Sequence, residues 1–345
     1  MMSNVLDAVI IGAGPIGLEL AVRMKQAGLT FAHFDAQQIG QTISWFAPQT
    51  QFFSSNERIA IAGVPLQTAD QGKATREEYL AYLRSIVLQF NLKVNTYEPV
   101  TAIVRGNDGT FIVASQPRGR DKLLTHCRAV VLSTGGTDRP RKLNIPGEDL
   151  PHVSNYFQDP HTYFGQNLLI VGGKNSAVEA ALRCHHAGAK VSISYRRDRL
   201  PEKSIKYWLM PEISGLTDAG RITAHYGTQP VAITPTHVAL SRGGDHINVP
   251  ADFVLLMVGY EQDNTLLISA GVTLTESCRA PVFDPQTMET NVPGIYVAGT
   301  AVGGTQDKYT VFIENCHVHV ERIVAALTGA SAPKSAAVEY ARPES

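Results

Sequence analysis

The chain has 345 residues, 44% of them hydrophobic and 18% charged, with 30 lysines and arginines against 31 acids. That length suits two domains with sizeable cores, so no disulfide or structural metal is needed to hold them. The balanced charge gives no reason to bind nucleic acid or an anionic membrane, and no apolar run is long enough to span a bilayer. The four cysteines, Cys127, Cys184, Cys278 and Cys316, are far apart and form no C-x-x-C pair. They read as reduced thiols of a cytoplasmic protein, and no metal site is expected.

In chain order, Val5–Ile11 is a buried β-type run that lacks the features of a signal peptide. A glycine turn follows, then helical spacing from Leu18 to Ala27, a stop at Gly28 and a second strand at Phe31–Phe34. Residues 37–72 are irregular, with Trp45 and Phe46 in a loop. Thr75 to Phe90 reads as a helix with a capping glutamate three residues after Thr75. Val94 to Val113 alternates like paired strands around Asn107-Asp108-Gly109. Ala129–Leu132 is a buried strand ending in Ser133-Thr134-Gly135-Gly136, and a proline-rich crossing runs from Arg139 to Pro151.

The opening pattern then repeats about 160 residues on. Asn167–Val171 reads as a strand, Gly172 to Ala177 as a turn, Val178 to Ala187 as a helix and Lys190–Tyr195 as a second strand. Further strands are expected at Phe253–Val258 and Gly294–Ala298, and a last helix from Val311 to Leu327. Residues 331–345 lack periodicity and read as a disordered tail. The expected fold is α/β, two Rossmann-like domains with one inserted in the other: 1–136 with 259–330 form one dinucleotide-binding domain and 137–258 form the other.

The chemistry lies in the two turns. Gly12-x-Gly14-x-x-Gly17 sits between strand and helix, and Asp35 closes the next strand, which completes a dinucleotide fingerprint. Gly12 permits the tight turn, Gly14 lets backbone N–H groups approach a pyrophosphate, and Gly17 brings the helix close to the strand. Asp35 is placed to accept hydrogen bonds from ribose hydroxyls. The second turn, Gly172-x-Lys174-x-x-Ala177, has lysine and alanine in place of two glycines. Its second strand ends in Arg196 and Arg197 instead of an acid, and arginine can bind the 2′-phosphate of NADP that a carboxylate would repel.

The paired fingerprints and the Gly294-Ile295-Tyr296-Val297-Ala298-Gly299 segment resemble the two-dinucleotide flavoproteins of the thioredoxin-reductase type, up to about Leu327. A closer resemblance is to the YpdA family of bacillithiol disulfide reductases. It is carried by Phe52-Phe53-Ser54-Ser55, Gly63-Val64-Pro65, Thr75-Arg76-Glu77, Asp159-Pro160-His161, Gly172 to Ala177, Lys206-Tyr207-Trp208 and Phe312-Ile313-Glu314-Asn315. The resemblance implies FAD contacts at Gly12, Gly14, Pro15, Ile16, Gly17, Asp35, Ala36, Gln37, Trp45, Val100, Thr134, Gly135, Gly299, Thr300, Phe312 and Ile313. It implies NADPH contacts at Gly172, Gly173, Lys174, Asn175, Ser176, Arg196, Arg197, Val258 and Gly259. It also implies a homodimer or higher homo-oligomer and a domain rotation during turnover.

Two departures qualify the likeness. The YpdA-type turn usually has cysteine where Ile16 stands, and the acid that meets the ribityl chain in thioredoxin reductases is replaced by Thr300. The expected activity is hydride transfer from NADPH to FAD and on to a small acceptor, such as bacillithiol disulfide or a small redox protein. A flavin monooxygenase, a ferredoxin–NADP reductase-like enzyme and a non-catalytic redox sensor are the alternatives. Cys316, Glu314 and His317 are the candidate catalytic residues: Cys316 as a redox thiol with His317 or His319 as proton donor, its rival a small buried residue packed on a helix, and Glu314 in proton transfer, its rival a helix N-terminal carboxylate.

Overall fold

The computed structural model describes residues 5–306 and 310–331, and within it the chain forms two compact units. The first unit opens with strand β1 (Leu6–Ile11), helix α1 (Pro15–Gln26) and strand β2 (Phe31–Phe34). Ala8, Val9 and Ile10 are fully buried, as befits a central strand covered on both faces. Two single-turn helices, α2 (Gln41–Ser44) and α3 (Asn56–Ile59), precede helix α4 (Arg76–Gln89). Thr75 caps α4 as expected: its hydroxyl accepts from Glu78 N–H, and Glu78 Oε2 accepts from Thr75 N–H at 2.8 Å.

Strands β3 (Val94–Asn95), β4 (Val100–Arg105), β5 (Phe111–Ser115) and β6 (Leu123–Leu132) follow. The expected hairpin is β4 and β5, but it starts at Val100, because β3 pairs in parallel with β2 instead. Pro99, which has no N–H to give a ladder, separates the two.

The chain then crosses at β7 (Arg139–Pro140) into the second unit. This unit holds β8 (Val153–Ser154), β9 (Asn167–Val171), α5 (Asn175–His186), β10 (Lys190–Tyr195), α6 (Met210–Asp218) and β11 (Thr223–Tyr226). An antiparallel sheet of β12 (Gln229–Ile233), β13 (His237–Arg242) and β14 (Asp245–Pro250) packs over the same core, and β15 (Phe253–Leu256) completes the parallel sheet. The parallel strands lie in the order β11-β10-β9-β15-β8.

The chain returns at β16 (Tyr260–Glu261), which pairs with β7. A short helix α7 (Thr265–Ser269), strand β17 (Ile295–Val297) and helix α8 (His317–Thr328) complete the first unit. Its sheet runs β3-β2-β1-β6-β5-β4, with β17 alongside β6. The long β6 pairs with β1 along one edge and serves two neighbours along the other: Leu123–Cys127 pair with β5, and Val130–Leu132 pair with β17. The last helix starts later than expected because Ile313–Asn315 form a separate 3₁₀ turn before it. Among the described residues no helix is long and apolar enough to cross a membrane. The expected tail beyond 331 lies outside the described residues.

Candidate functional site

Ile11 stands opposite Phe34 on β2 and Leu132 on β6, so Gly12, Asp35 and Ser133 emerge together at the carboxyl edge of the sheet. Gly12 has φ +107°, and a Cβ there would sit 2.3 Å from the Ser133 carbonyl oxygen. At Gly17 a Cβ would lie 2.0 Å from the Gly12 oxygen, so only glycine lets α1 approach β1 this closely. Gly14 is different, with nothing within 4 Å of its would-be Cβ. No side chain caps α1, which begins with Pro15, so its first N–H groups face that open space. This is the geometry that receives a pyrophosphate.

Asp35 is fixed at the end of β2. Ala13 N–H donates to its Oδ2 at 2.6 Å and Gln37 N–H to its Oδ1 at 2.8 Å. Burial raises its pKa, partly offset by those two bonds. Each oxygen keeps a lone pair for a ribose hydroxyl, so the residue fits the adenosine end of FAD. Glu98 N–H donates to the Asp35 carbonyl and Tyr97 N–H to that of Gln37, which brings the start of β4, with Val100, to Ala36 and its neighbours.

Below the turn lies His33, fully buried, with Nε2 2.9 Å from the Gly12 carbonyl. Burial pushes its pKa down to about 4, so the imidazole is neutral and Nε2 carries the proton that holds the turn. Sequence reasoning missed His33; its only signal is a polar residue inside a four-residue buried strand.

The return segment meets this turn. Ala298 N–H donates to the Leu132 carbonyl, and Gly136 N–H donates to Thr300 Oγ1 at 3.0 Å. Gly299 has φ +68°, and its Cβ would lie 3.3 Å from that of Ile16. Ile16, Gly299 and Thr300 therefore gather beside the Thr134-Gly135-Gly136 strand end. Phe312 and Ile313 are held by Asn315, whose Oδ1 accepts Phe312 N–H at 2.9 Å and whose Nδ2 donates to the Thr310 carbonyl at 2.7 Å.

The candidate catalytic residues have ordinary structural surroundings. Cys316 is fully buried, and burial pushes its thiol well above the usual range, so it carries no thiolate at neutral pH. Cys127 and Cys184 are also fully buried and pushed up to about 12 by the same cause. Cys278 is partly exposed, and its hydrogen bond with the Thr275 hydroxyl lowers its pKa. His317 Nδ1 lies 2.7 Å from Glu19 Oε2, and its Nε2 lies 2.9 Å from the Arg58 carbonyl. Burial lowers the His317 pKa, but the Glu19 carboxylate more than offsets this and the net shift is upward. Glu314 lies 3.8 Å from Arg58 and is almost wholly buried.

The second turn repeats the first. Gly172 N–H donates to the Ser194 carbonyl and Met257 N–H to that of Val171, so Gly172, the end of β10 and Val258-Gly259 share one sheet edge. A Cβ on Gly172 would meet the Met257 oxygen at 2.5 Å, and one on Gly173 would meet the Tyr195 ring at 2.5 Å. Lys174 occupies the cap position of α5 without a side-chain cap, and Ser176 lies in the first turn. Asn175 Oδ1 accepts Lys206 N–H at 2.6 Å. Arg196 and Arg197 follow β10 directly, are exposed, and make no ion pair among the described residues. Trp45–Pro48 group with the second unit, and the Trp45 ring stands edge-on to Tyr156 at 5.5 Å. Such a T-shaped pair gives the indole an apolar seat there.

A family model described as pyridine nucleotide-disulphide oxidoreductase matches residues 9–299. The chain is 34% identical over 322 residues to the bacilliredoxin reductase Bdr of Bacillus subtilis (strain 168), covering 93% of this chain and 97% of that protein. It is 27% identical over 302 residues to a ferredoxin–NADP reductase of Ignicoccus hospitalis, covering 85% and 89%. Among solved structures, the bacillithiol disulfide reductase Bdr (YpdA) from Bacillus cereus is similar with a TM-score of 0.89 and 32% identity, over 94% of this chain and 99% of that one. The YpdA likeness read from the sequence is thus borne out. With its two-domain Rossmann-like fold, the chain belongs to the pyridine nucleotide-disulphide oxidoreductase family and is a flavoprotein oxidoreductase that uses FAD and a nicotinamide dinucleotide.

Proposed function

We propose that the first unit holds FAD at Gly12–Gly17 and Asp35, that the second holds NADPH at Gly172–Ala177 and Arg196–Arg197, and that a small soluble acceptor takes the electrons. The carrying observation is the contrast between the two strand ends: a half-buried carboxylate at Asp35, two exposed guanidiniums at Arg196 and Arg197. A carboxylate suits ribose hydroxyls, whereas a planar guanidinium pairs with two phosphate oxygens at once. The open space at Gly14 supports a pyrophosphate there. Bound FAD supplies the two-electron carrier, and the residues of the chain bind and orient it.

For the acceptor, the leading reading is a low-molecular-weight thiol disulfide such as bacillithiol disulfide, in a cytoplasmic homodimer or higher homo-oligomer. It is supported by the names of the Bacillus relatives, one a reductase of bacillithiol disulfide and the other of bacilliredoxin. A second reading is an acceptor that needs no protein thiol, such as a ferredoxin or a quinone. Ile16 in the turn and the three buried, protonated cysteines favour it.

The test is anaerobic reduction by NADPH, followed by mixing with bacillithiol disulfide, quinones or ferredoxin. Reoxidation by the disulfide faster than by oxygen supports the leading reading. Reoxidation only by quinone or ferredoxin replaces it with the second.

A further inference from the structure

The side chains around Lys206 are not explained by packing alone. Lys206 is a buried lysine, with its side chain 9% exposed. It is fastened to α5 at two points. Its N–H donates to Asn175 Oδ1 at 2.6 Å, and its ammonium lies 3.1 Å from Glu179 Oε2, one turn further along. Glu179, itself 16% exposed, also lies 3.8 Å from Arg183. The Lys206 ammonium stands 5.6 Å from the centroid of Trp208, and the Tyr207 ring meets Trp208 edge-on at 5.0 Å.

As a stability device this is a poor choice. Burying an ammonium and a carboxylate carries a desolvation cost that their attraction only partly offsets, and an apolar pair often serves as well. Lys174 adds a second cation at the cap of the same helix. An anionic ligand at the turn makes sense of Lys174 at the cap, and of a Lys206–Glu179 pair that holds the same helix in place.

We infer that Lys206 is a positioning residue for NADPH: with Asn175 and Glu179 it clips the Ile205–Trp208 segment to the first turns of α5, fixing the turn that meets the pyrophosphate. Lys206 acts through α5 and the neighbouring segment and does not itself touch the nucleotide. Asn175 serves as the anchor, because its carbonyl oxygen is engaged by Lys206 N–H. The inference rests on the reading of Gly172–Ala177 as the NADPH turn.

The test uses the full-length, FAD-loaded enzyme and steady-state kinetics over a range of NADPH concentrations, with thermal melting alongside. Lys206→Met is expected to raise KM for NADPH by about 10-fold or more while kcat at saturation changes little, the pattern of a lost binding contribution. Lys206→Arg, which keeps the charge, is expected to restore most of the affinity. Should Lys206→Met fail to fold, Asn175→Ala removes one fastening point without stranding a buried charge, and it too is expected to raise KM. A lowered Tm with unchanged KM in Lys206→Met, or unchanged KM in Asn175→Ala, overturns the inference. A wild-type enzyme that shows no saturable reduction by NADPH refutes the reading of the turn itself and the clip with it. Saturable wild-type reduction with unaltered variants refutes the clip alone.

Discussion

Asp35 and the Arg196–Arg197 pair stand at the same place in two copies of one βαβ unit and carry opposite charge. That difference makes cofactor preference testable at single side chains. Arg196→Ala with Arg197→Ala is expected to raise KM for NADPH by about 10-fold or more and to leave NADH turnover unchanged, since each charge-assisted hydrogen bond is worth about 1.5–3 kcal/mol. Steady-state kinetics with both nucleotides checks it. His317 gives a pH dependence of known sign. Burial depresses its pKa, Glu19 more than offsets this, and the folded-state value lies above the ordinary 6.5. Its stabilisation is complete below pH 6.5 and is lost as pH rises through the folded-state pKa. The Tm advantage of the wild type over His317→Gln is therefore expected to shrink as the solution is made alkaline. An advantage that grows with pH would contradict the Glu19–His317 link.

Among the elements, the two glycines of the first turn separate folding from binding. Gly12→Ala places a Cβ 2.3 Å from a backbone oxygen at φ +107°, and the fold is expected to be badly destabilised. Gly14 has φ −73° and open space, so Gly14→Ala is expected to melt like the wild type as apoprotein but retain less FAD on dialysis. Comparison of Tm and bound FAD in the two variants decides this. The same turn shows what the sequence could reveal. β2, β9 and β10 run as read from it, because buried β-branched and aromatic runs bounded by glycine or polar residues mark their own ends. α1 and α5 begin three residues before their expected starts at Leu18 and Val178, because their first turns hold Pro15-Ile16-Gly17 and Asn175-Ser176-Ala177, which have no apolar period. The β12–β14 sheet and α6 were not foreseen. Gly243-Gly244 between the alternating Val238, Leu240 and Ile247, Val249 is the hairpin signal that could have found part of them. In the site, the glycines were legible because their role is local. The His33–Gly12 and Lys206–Glu179 contacts were not, being 21 and 27 residues apart in sequence.

For the molecule as a whole, the question is how electrons enter and leave. The cysteine environments favour the second reading, exit to an acceptor that needs no protein thiol, and make it testable. Only Cys278 is partly exposed with a lowered pKa, while Cys127, Cys184 and Cys316 are fully buried and protonated. Iodoacetamide treatment of the folded enzyme is expected to label Cys278 alone by mass spectrometry and to leave turnover unchanged. Loss of turnover on labelling would reinstate a thiol in the electron path. Entry is the more central matter, because both dinucleotide turns must function for any acceptor to be reduced. The most direct measurement is anaerobic stopped-flow mixing of the FAD-loaded protein with NADPH or NADH, monitored at the flavin absorbance. The expected result is full bleaching by one equivalent of NADPH, faster than by NADH. No bleaching by NADPH, or equal rates with the two nucleotides, would contradict the assignment of Arg196–Arg197 and the second turn.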